Sequence, residues 1–487
     1  MVNSNSPDSV ISYYHRIVGK PFLPPMWALG WHQSKYCLRN VGEHKDVVDK
    51  YNQYRIPLDV QWADIDYMDE YKDFTVDFKN FGNLTSYAKE FLQQANHLKF
   101  VPIVDAAIAY RENDGYRTFT EGKDKNVFMK ALDRNEVFQG RGWPNEVAFP
   151  DFTNPNTSDW WQYELTQFHK ELVEFDGLWL DMNEPSNFCN GPCVEKQRVL
   201  DTMQNNLFYT PSGRDLESKT LPIDLKHYNG YSQLDAHNYY GSMQTQATFG
   251  WFKDPKQNIE RKRPFIISRS TFPGQGKYAG KWLGDNAATY EDMQRSVTGT
   301  MMMNIFGIPF SGADICGYQQ TSDTTNAKLC ARWHQLGGLQ PFSRNHASCQ
   351  SPRQDPGMFA DVKVPGLNET TYMDIMKDAI IHKYSLMRYF YTQMFQLSIL
   401  NTNVGTFYKP LFFAFPNDPL AYKASPFENV MIGPYLKLSI KTTEVEDTLK
   451  ETNEYYFPKG IWCDILNSMD DCVVSDGTRM IELKAGV

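Results

Sequence analysis

Short apolar runs alternate with helix-period segments over the first four hundred residues of this 487-residue chain. Eight of the runs read as strands. They are Met26–Trp31, directly after the Pro24-Pro25 breaker, Leu58–Trp62, Phe100–Val104 with Pro102 inside it, Gly177–Leu180, Pro264–Ser268, Ala279–Leu283, Ile308–Ser311 and Leu339–Phe342. Between them, Val47–Tyr54, Leu84–Asn96, Trp160–Glu174, Met293–Phe306 and Lys328–Leu336 carry helical patterns. Such alternation builds a parallel sheet with helical crossovers, an α/β fold. Eight units close a (β/α)8 barrel, the TIM-barrel architecture. A doubly wound open sheet is the alternative, but no glycine-rich phosphate loop follows the first strand. Two connections, about 110–159 after the third strand and 185–231 after the fourth, are long enough to be inserted subdomains. From about Asn401 the segments become short, β-rich and turn-separated. The expected division is a catalytic barrel over 1–400 and part of a C-terminal antiparallel β-sandwich domain over 401–487. No internal repeat or low-complexity tract interrupts this plan.

The residues just past each strand carry the chemistry, because barrels of this type place their active sites at the C-terminal strand ends. The second strand runs into Asp64 and Asp66, the third ends at Asp105, and the fourth at Asp181 with Glu184 close behind. The sixth ends at Asp285 and the seventh at Asp314. The fifth and eighth contribute cations instead, Arg269 and Arg344, the latter followed by His346. Acids at five of eight strand ends repel one another unless function requires them there. A divalent metal site is one use of such a crowd. Glycoside hydrolysis, which needs two carboxyl groups flanking the scissile bond, is another. Trp31, Trp62, Trp143, Trp179 and Trp282 fall on the same strand ends or on the first long connection. Aromatic platforms suit a pyranose ring better than a hydrated cation, which favours the glycosidase and predicts no metal and no cofactor.

Composition changes this picture little. Apolar residues make up 41% of the chain and charged residues 22%, enough for a large core. A net charge of −9 disfavours nucleic acid and anionic membranes as partners. The polar start Met1–Asp8 is no signal peptide, and no run of about twenty apolar residues marks a membrane segment. Three glycosylation sequons begin at Asn83, Asn156 and Asn368. Among 8 cysteines, Cys189/Cys193 and Cys316/Cys330 are close enough in sequence to close short loops, and neither is a paired CxxC zinc arrangement. The chain is therefore either cytosolic with free thiols or a piece of a secretory-pathway protein.

Specific motifs sharpen the reading. Trp179-Leu180-Asp181-Met182-Asn183-Glu184-Pro185-Ser186-Asn187-Phe188 resembles the nucleophile signature of glycoside hydrolase family 31, the α-glucosidases. Ser268-Arg269-Ser270-Thr271-Phe272 with Gly280-Lys281-Trp282-Leu283-Gly284-Asp285 resembles that family's acid/base region. Val60 to Met68, Phe149 to Pro155, Gly312 to Gly317 and Phe342 to His346 match four further motifs, in order, from about Gly19 to the chain end. The maltase and acid α-glucosidase branch is the nearest in pattern.

The resemblance implies an exo-acting, retaining enzyme acting on α-glucoside oligosaccharides. Asp181 would be the nucleophile and Asp285 the general acid/base, protonated at the outset because of the Asp181 charge. Asp64, Arg269 and His346 would hold the hydroxyls of the nonreducing glucose through charge-assisted hydrogen bonds. Asp314 and Trp282 would share the pocket, with Asp314 orienting Arg269 or another donor. Trp143, Trp179 and Met182 would form apolar walls, and Ile108 and Tyr318 would also contact substrate. Tyr318 stands where relatives carry Phe, and Ala106 follows Asp105 where they often carry Pro. The family's preceding β-sandwich and distal β domain have no counterpart here, so an incomplete chain from a secretory, lysosomal or extracellular protein is expected. Cys316/Cys330 resembles a family disulfide. An α-xylosidase and a noncatalytic carbohydrate-binding remnant are the alternatives, and linkage preference and oligomeric state are left open.

Overall fold

The computed structural model describes residues 4–131, 136–193, 215–256, 262–320, 325–367, 369–400, 404–444, 452–466 and 468–484. The expected sequon at Asn368 and the middle of the 185–231 connection lie outside the described residues. Contacts divide the chain into two units. One comprises Met1–Cys37, Glu43–Trp62 and Gly280–Val487, and the other Leu38–Gly42 and Ala63–Ala279.

In the Ala63–Ala279 unit, strands Lys99–Asp105, Leu178–Asp181 and Ile266–Ser268 run parallel, with Asp105 opposite Asp181 and Leu180 opposite Ser268. Their runs are buried almost throughout, as expected of parallel strands covered on both faces. Helix Pro155–Gln167 starts on an Asn154 cap with Pro155 in its first turn, where a missing N–H costs nothing. It packs on helix Tyr240–Lys253 through Trp161, whose Nε1 donates to Thr248 Oγ1 at 2.9 Å. The first long connection forms a three-stranded antiparallel sheet of Ile108–Ala109, Asn145–Ala148 and Gly140–Gly142.

In the other unit, His32–Gln33 pairs in parallel with Val60–Gln61 and with Arg344–Asn345, which pairs with Asp314–Ile315. Gly280–Trp282 pairs in parallel with Ser311–Gly312. The expected first strand is misplaced: Met26–Leu29 is a 3₁₀ turn capped by Pro25, and the strand starts at His32. Its short apolar run buries equally well as a turn, so periodicity could not separate the two. Gly30 then passes so close to Asp59 that an added Cβ would lie 1.7 Å from the carboxylate oxygen. The last expected strands also shift. Leu339–Phe342 is a turn ahead of Arg344–Asn345, and Asp314–Ile315 was not expected, because three of these four ladder positions carry polar side chains. The 27-residue helix Tyr372–Ser398, opened by a Thr371/Asp374 capping box, was also missed. Lys383 interrupts its buried stripe, its Nζ donating to the Gln340 carbonyl at 3.0 Å.

Residues beyond 404 form antiparallel sheets: Tyr408–Pro410, Asn429–Ile432 and Leu436–Ser439 in one, Thr452–Tyr456 with Met480–Lys484, and Gly460–Asp464 with Ser468–Ser475. Leu411, Met431 and Tyr456 share a core. All eight cysteines are paired, as Cys37–Cys349, Cys189–Cys193, Cys316–Cys330 and Cys463–Cys472. The expectation of free thiols therefore falls. Cys37–Cys349, 312 residues apart, had no local signal.

Buried histidines, among them His15, His32 and His334, should make this unit acid-sensitive. Burial pushes His32 to a pKa of about 3, and His15 and His334 to about 4. His334 stacks on Trp31 at 5.1 Å and bonds the Cys330 carbonyl through Nδ1 at 2.8 Å. In the unfolded chain these rings protonate near about pH 6.5. The folded state binds fewer protons across that window, so stability is complete above it and falls as pH drops toward the depressed values. The melting temperature should be lower at about pH 4.5 than at about pH 7, and His334→Gln should shrink that difference. An unchanged difference in the variant would contradict the assignment.

Candidate active site

Asp181 is the last residue of its buried strand. The chain then turns sharply, with Met182 in the left-handed region at φ 55° and the Ser186 amide donating to the Met182 carbonyl at 2.9 Å. Such a backbone costs on the order of 1–3 kcal/mol and persists only where surroundings hold it. Here Asn183 does so, donating to Ser268 Oγ and accepting from the Ser270 amide, both at 2.9 Å. Gly241 packs against it so closely that a Cβ would lie 2.6 Å from the Asn183 carbonyl. Arg269, one residue past the neighbouring strand, places Nη1 2.9 Å from Asp181 Oδ1. Its other edge grips Glu184 in a bidentate pair at 2.8 and 3.0 Å, and Nη2 lies 3.0 Å from Met182 Sδ. The guanidinium thus joins two carboxylates and is a partner for the ionised form of Asp181. Sequence reasoning gave Glu184 no role. Its place three residues after Asp181 in the motif was the available signal.

Asp105 stands opposite Asp181 in the strand register. Its amide donates to Asp73 Oδ1 at 2.8 Å, and the Asp73 carbonyl accepts from Tyr116 at 2.7 Å. Both carboxyls are pushed well above the usual range, Asp105 by burial and then by Asp73 and Asp181, and Asp73 by burial. Asp64 is buried at the head of the turn Ile65–Tyr67, accepting the Ile65 amide at 2.7 Å. Asp151, in the Phe149–Pro155 motif, binds His227 Nδ1 at 2.9 Å and the Tyr228 amide at 2.6 Å. Burial raises its pKa, but His227 and these amide and hydroxyl donors outweigh that, so it stays ionised and anchors the end of the second connection.

Trp143 keeps 39% of its surface exposed and meets Phe188 edge-on at 5.3 Å and Tyr71 at 6.3 Å, forming an open aromatic patch. Trp179, Met182 and Ile108 are buried in this state, Ile108 fully, paired within the small sheet.

The second constellation belongs to the other unit. Asp314 and Arg344 are register partners, both fully buried, with Arg344 Nη2 2.7 Å from Asp314 Oδ1. The Arg344 guanidinium lies 4.7 Å from the Trp62 ring and 5.3 Å from Trp282. Asp314 therefore orients Arg344, the other donor that was expected, and Trp31, Trp62 and Trp282 are buried packing residues and not open platforms. His346 stacks on Tyr318 at 5.1 Å. Burial, with Arg344 and Lys35 adding to it, holds its pKa well below the ordinary value. It is a neutral imidazole, so it offers no charge-assisted contact. Asp285 sits with an exposed side chain between Gly284, at φ 85°, and Asn286. Asn286 fixes this turn to the Asp314 backbone, with Oδ1 accepting the Asp314 amide at 3.2 Å and Nδ2 donating to its carbonyl at 3.3 Å.

Within the Ala63–Ala279 unit, parallel strands end in Asp105 and Asp181, Arg269 is a guanidinium partner, and Trp143 opens an aromatic patch. Residues 21–393 match the glycosyl hydrolases family 31 TIM-barrel domain, and the chain belongs to that family. It is 36% identical over 459 residues to the lysosomal alpha-glucosidase of Rattus norvegicus, covering 94% of this chain and 45% of that protein. It is 34% identical over 510 residues to alpha-xylosidase 1 of Arabidopsis thaliana, covering 99% of this chain and 52% of that one. Among solved structures, the glucosidase II alpha subunit in a Tris-bound form superimposes with a TM-score of 0.81 at 27% identity, over 99% of this chain and 46% of that one. The chain thus spans about half the length of these relatives. The fold class is accordingly the TIM barrel with added C-terminal antiparallel sheets.

Proposed function

We propose that the chain is part of an exo-acting, retaining α-glucosidase that releases glucose from the nonreducing ends of maltose-like oligosaccharides. The carrying observation is Asp181, the end of a buried strand with a guanidinium 2.9 Å from its oxygen. In the first step an Asp181 oxygen bonds to the anomeric carbon as the glycosidic C–O bond breaks. Asp285 gives its proton to the departing oxygen. In the second step water bonds to the anomeric carbon, its proton returns to Asp285, and the ester bond to Asp181 breaks. Two displacements retain the configuration. Asp64 accepts hydrogen bonds from sugar hydroxyls, His346 contributes a neutral ring nitrogen, and Trp143 offers an apolar face.

Asp285→Ala should lower kcat on maltose by roughly 10²–10⁴-fold. The loss should be smaller for an aryl α-glucoside whose phenol leaves without a proton. The wild-type pH profile should peak below neutral, since Asp181 must be ionised while Asp285 is protonated, and the variant should lose the alkaline limb. Equal losses on both substrates, or a wild-type optimum above neutral, would count against this assignment.

The 34% identity to an α-xylosidase favours one second reading. A kcat/KM for aryl α-xylosides exceeding that for the glucosides would establish it, and calorimetric sugar binding without turnover would mark a binding remnant. Four disulfides support a secretory-pathway location for this protein, and the lysosomal relative is in keeping with that reading. Among the described residues no helix is long and apolar enough to cross a membrane.

A further inference from the structure

Asp105 and Asp181 occupy one rung of a parallel strand pair, so their side chains leave the same face about 4.8 Å apart along the sheet. Asp73 joins them through the Asp105 amide at 2.8 Å. Asp64 adds a fourth carboxyl to the field at Asp105. The opposing guanidinium, Arg269, is already divided between Asp181 and Glu184. Three adjacent buried carboxyls with that much positive charge cannot all ionise. The hydrogen bonding points to where protons reside. Asp73 Oδ2 and Asp105 Oδ1 are buried and have no hydrogen-bond partner among the described residues. An anionic oxygen in that state carries the full cost of desolvation, which a proton relieves. Within the pair, Asp73 has the better claim to a charge, because its Oδ1 accepts the Asp105 amide. Asp105 instead faces Asp73, Asp181 and Asp64, with Arg269 opposing them. The phenols of Tyr67 and Tyr116, also close by, are held neutral by burial. Gln244 Nε2 donates to the Asp105 carbonyl at 3.4 Å.

We propose that Asp73 and Asp105 are a positioning pair, with a proton held on the Asp105 carboxyl, which keeps the strand position beside Asp181 uncharged and leaves Asp181 as the ionised carboxylate of the row. The pair acts through Asp181 and has this role only if Asp181 is the nucleophile. Without it, an anion at 105 would raise the proton affinity of Asp181 and silence it in the acidic range where Asp285 is protonated.

The test is the acid limb of the kcat/KM profile. Asp73→Asn removes a carboxyl whose field disfavours charge on Asp105, so Asp105 ionises at lower pH. The acid limb should then move up by about one pH unit, with about tenfold lower activity on that flank. Adding Asp105→Asn to that variant should return the limb toward the wild-type position and recover activity. A merely structural pair predicts losses at every pH, no movement of the limb, and a double variant worse than the single. Either of the last two results overturns the pair. An infrared difference spectrum of wild type minus Asp105→Asn at neutral pH supplies a readout that needs no turnover. It should show a protonated carboxyl C=O band, and a carboxylate band in its place overturns the assignment. Undiminished turnover in Asp181→Ala would instead remove the nucleophile reading, while the infrared result would still report on the pair.

Discussion

Asp181→Ala should lower kcat on maltose and on aryl α-glucosides by roughly 10⁴-fold or more, since the proposed covalent step runs through the Asp181 carboxylate. The variant should still fold. The lost carboxylate is one of two partners of Arg269, and Glu184 keeps its bidentate grip on the guanidinium. Unchanged circular dichroism beside lost turnover is therefore the expected pair of results. Added azide should restore part of the rate on an activated aryl glucoside. It would attack from the vacated side and yield the β-configured glucosyl azide, because a single displacement inverts. Comparable activity in variant and wild type would mean that another group performs the displacement.

The largest stability effect is expected at Arg344. Arg344→Met leaves Asp314 buried without its register partner and should destabilise the protein by about 3–5 kcal/mol in urea or thermal unfolding. Packing adds to this loss, because the guanidinium also fills the space between Trp62 and Trp282. The double variant Asp314→Leu with Arg344→Met should be less destabilised than the single one, as it removes the orphaned charge. A single variant within about 1 kcal/mol of wild type would show that the pair is not desolvated as the structure has it.

The positions of Asp181 and Arg269 were legible in the sequence because each directly follows an apolar run that reads as a strand, and Asp285 follows such a run after Gly284. Asp314, Arg344 and His346 were equally visible, but their partners were not. The Asp314–Arg344 pair is set by strand register, which no local pattern encodes. Tryptophan count misled for the opposite reason. Trp62 and Trp282 lie at strand ends, yet their indoles turn inward to hold Arg344, and only Trp143 of the five remains open to solvent to this extent. His346 showed its position but not its charge, since neutrality comes from burial and from Arg344. Asp73 had no signal at all: it lies in a turn, and its importance appears only when the Asp105 amide reaches it. The strands that were misplaced are those whose paired residues are mostly polar, so the apolar runs mark their flanks.

Covalent trapping tests the central claim most directly. After incubation with 5-fluoro-α-glucosyl fluoride, which slows hydrolysis of a glycosyl ester, proteolysis and mass spectrometry should find the sugar on the peptide that contains Asp181, with fragmentation assigning it to that carboxyl. A label on a different carboxyl, or steady turnover of the reagent by a single inverting displacement with no ester formed, would contradict the account.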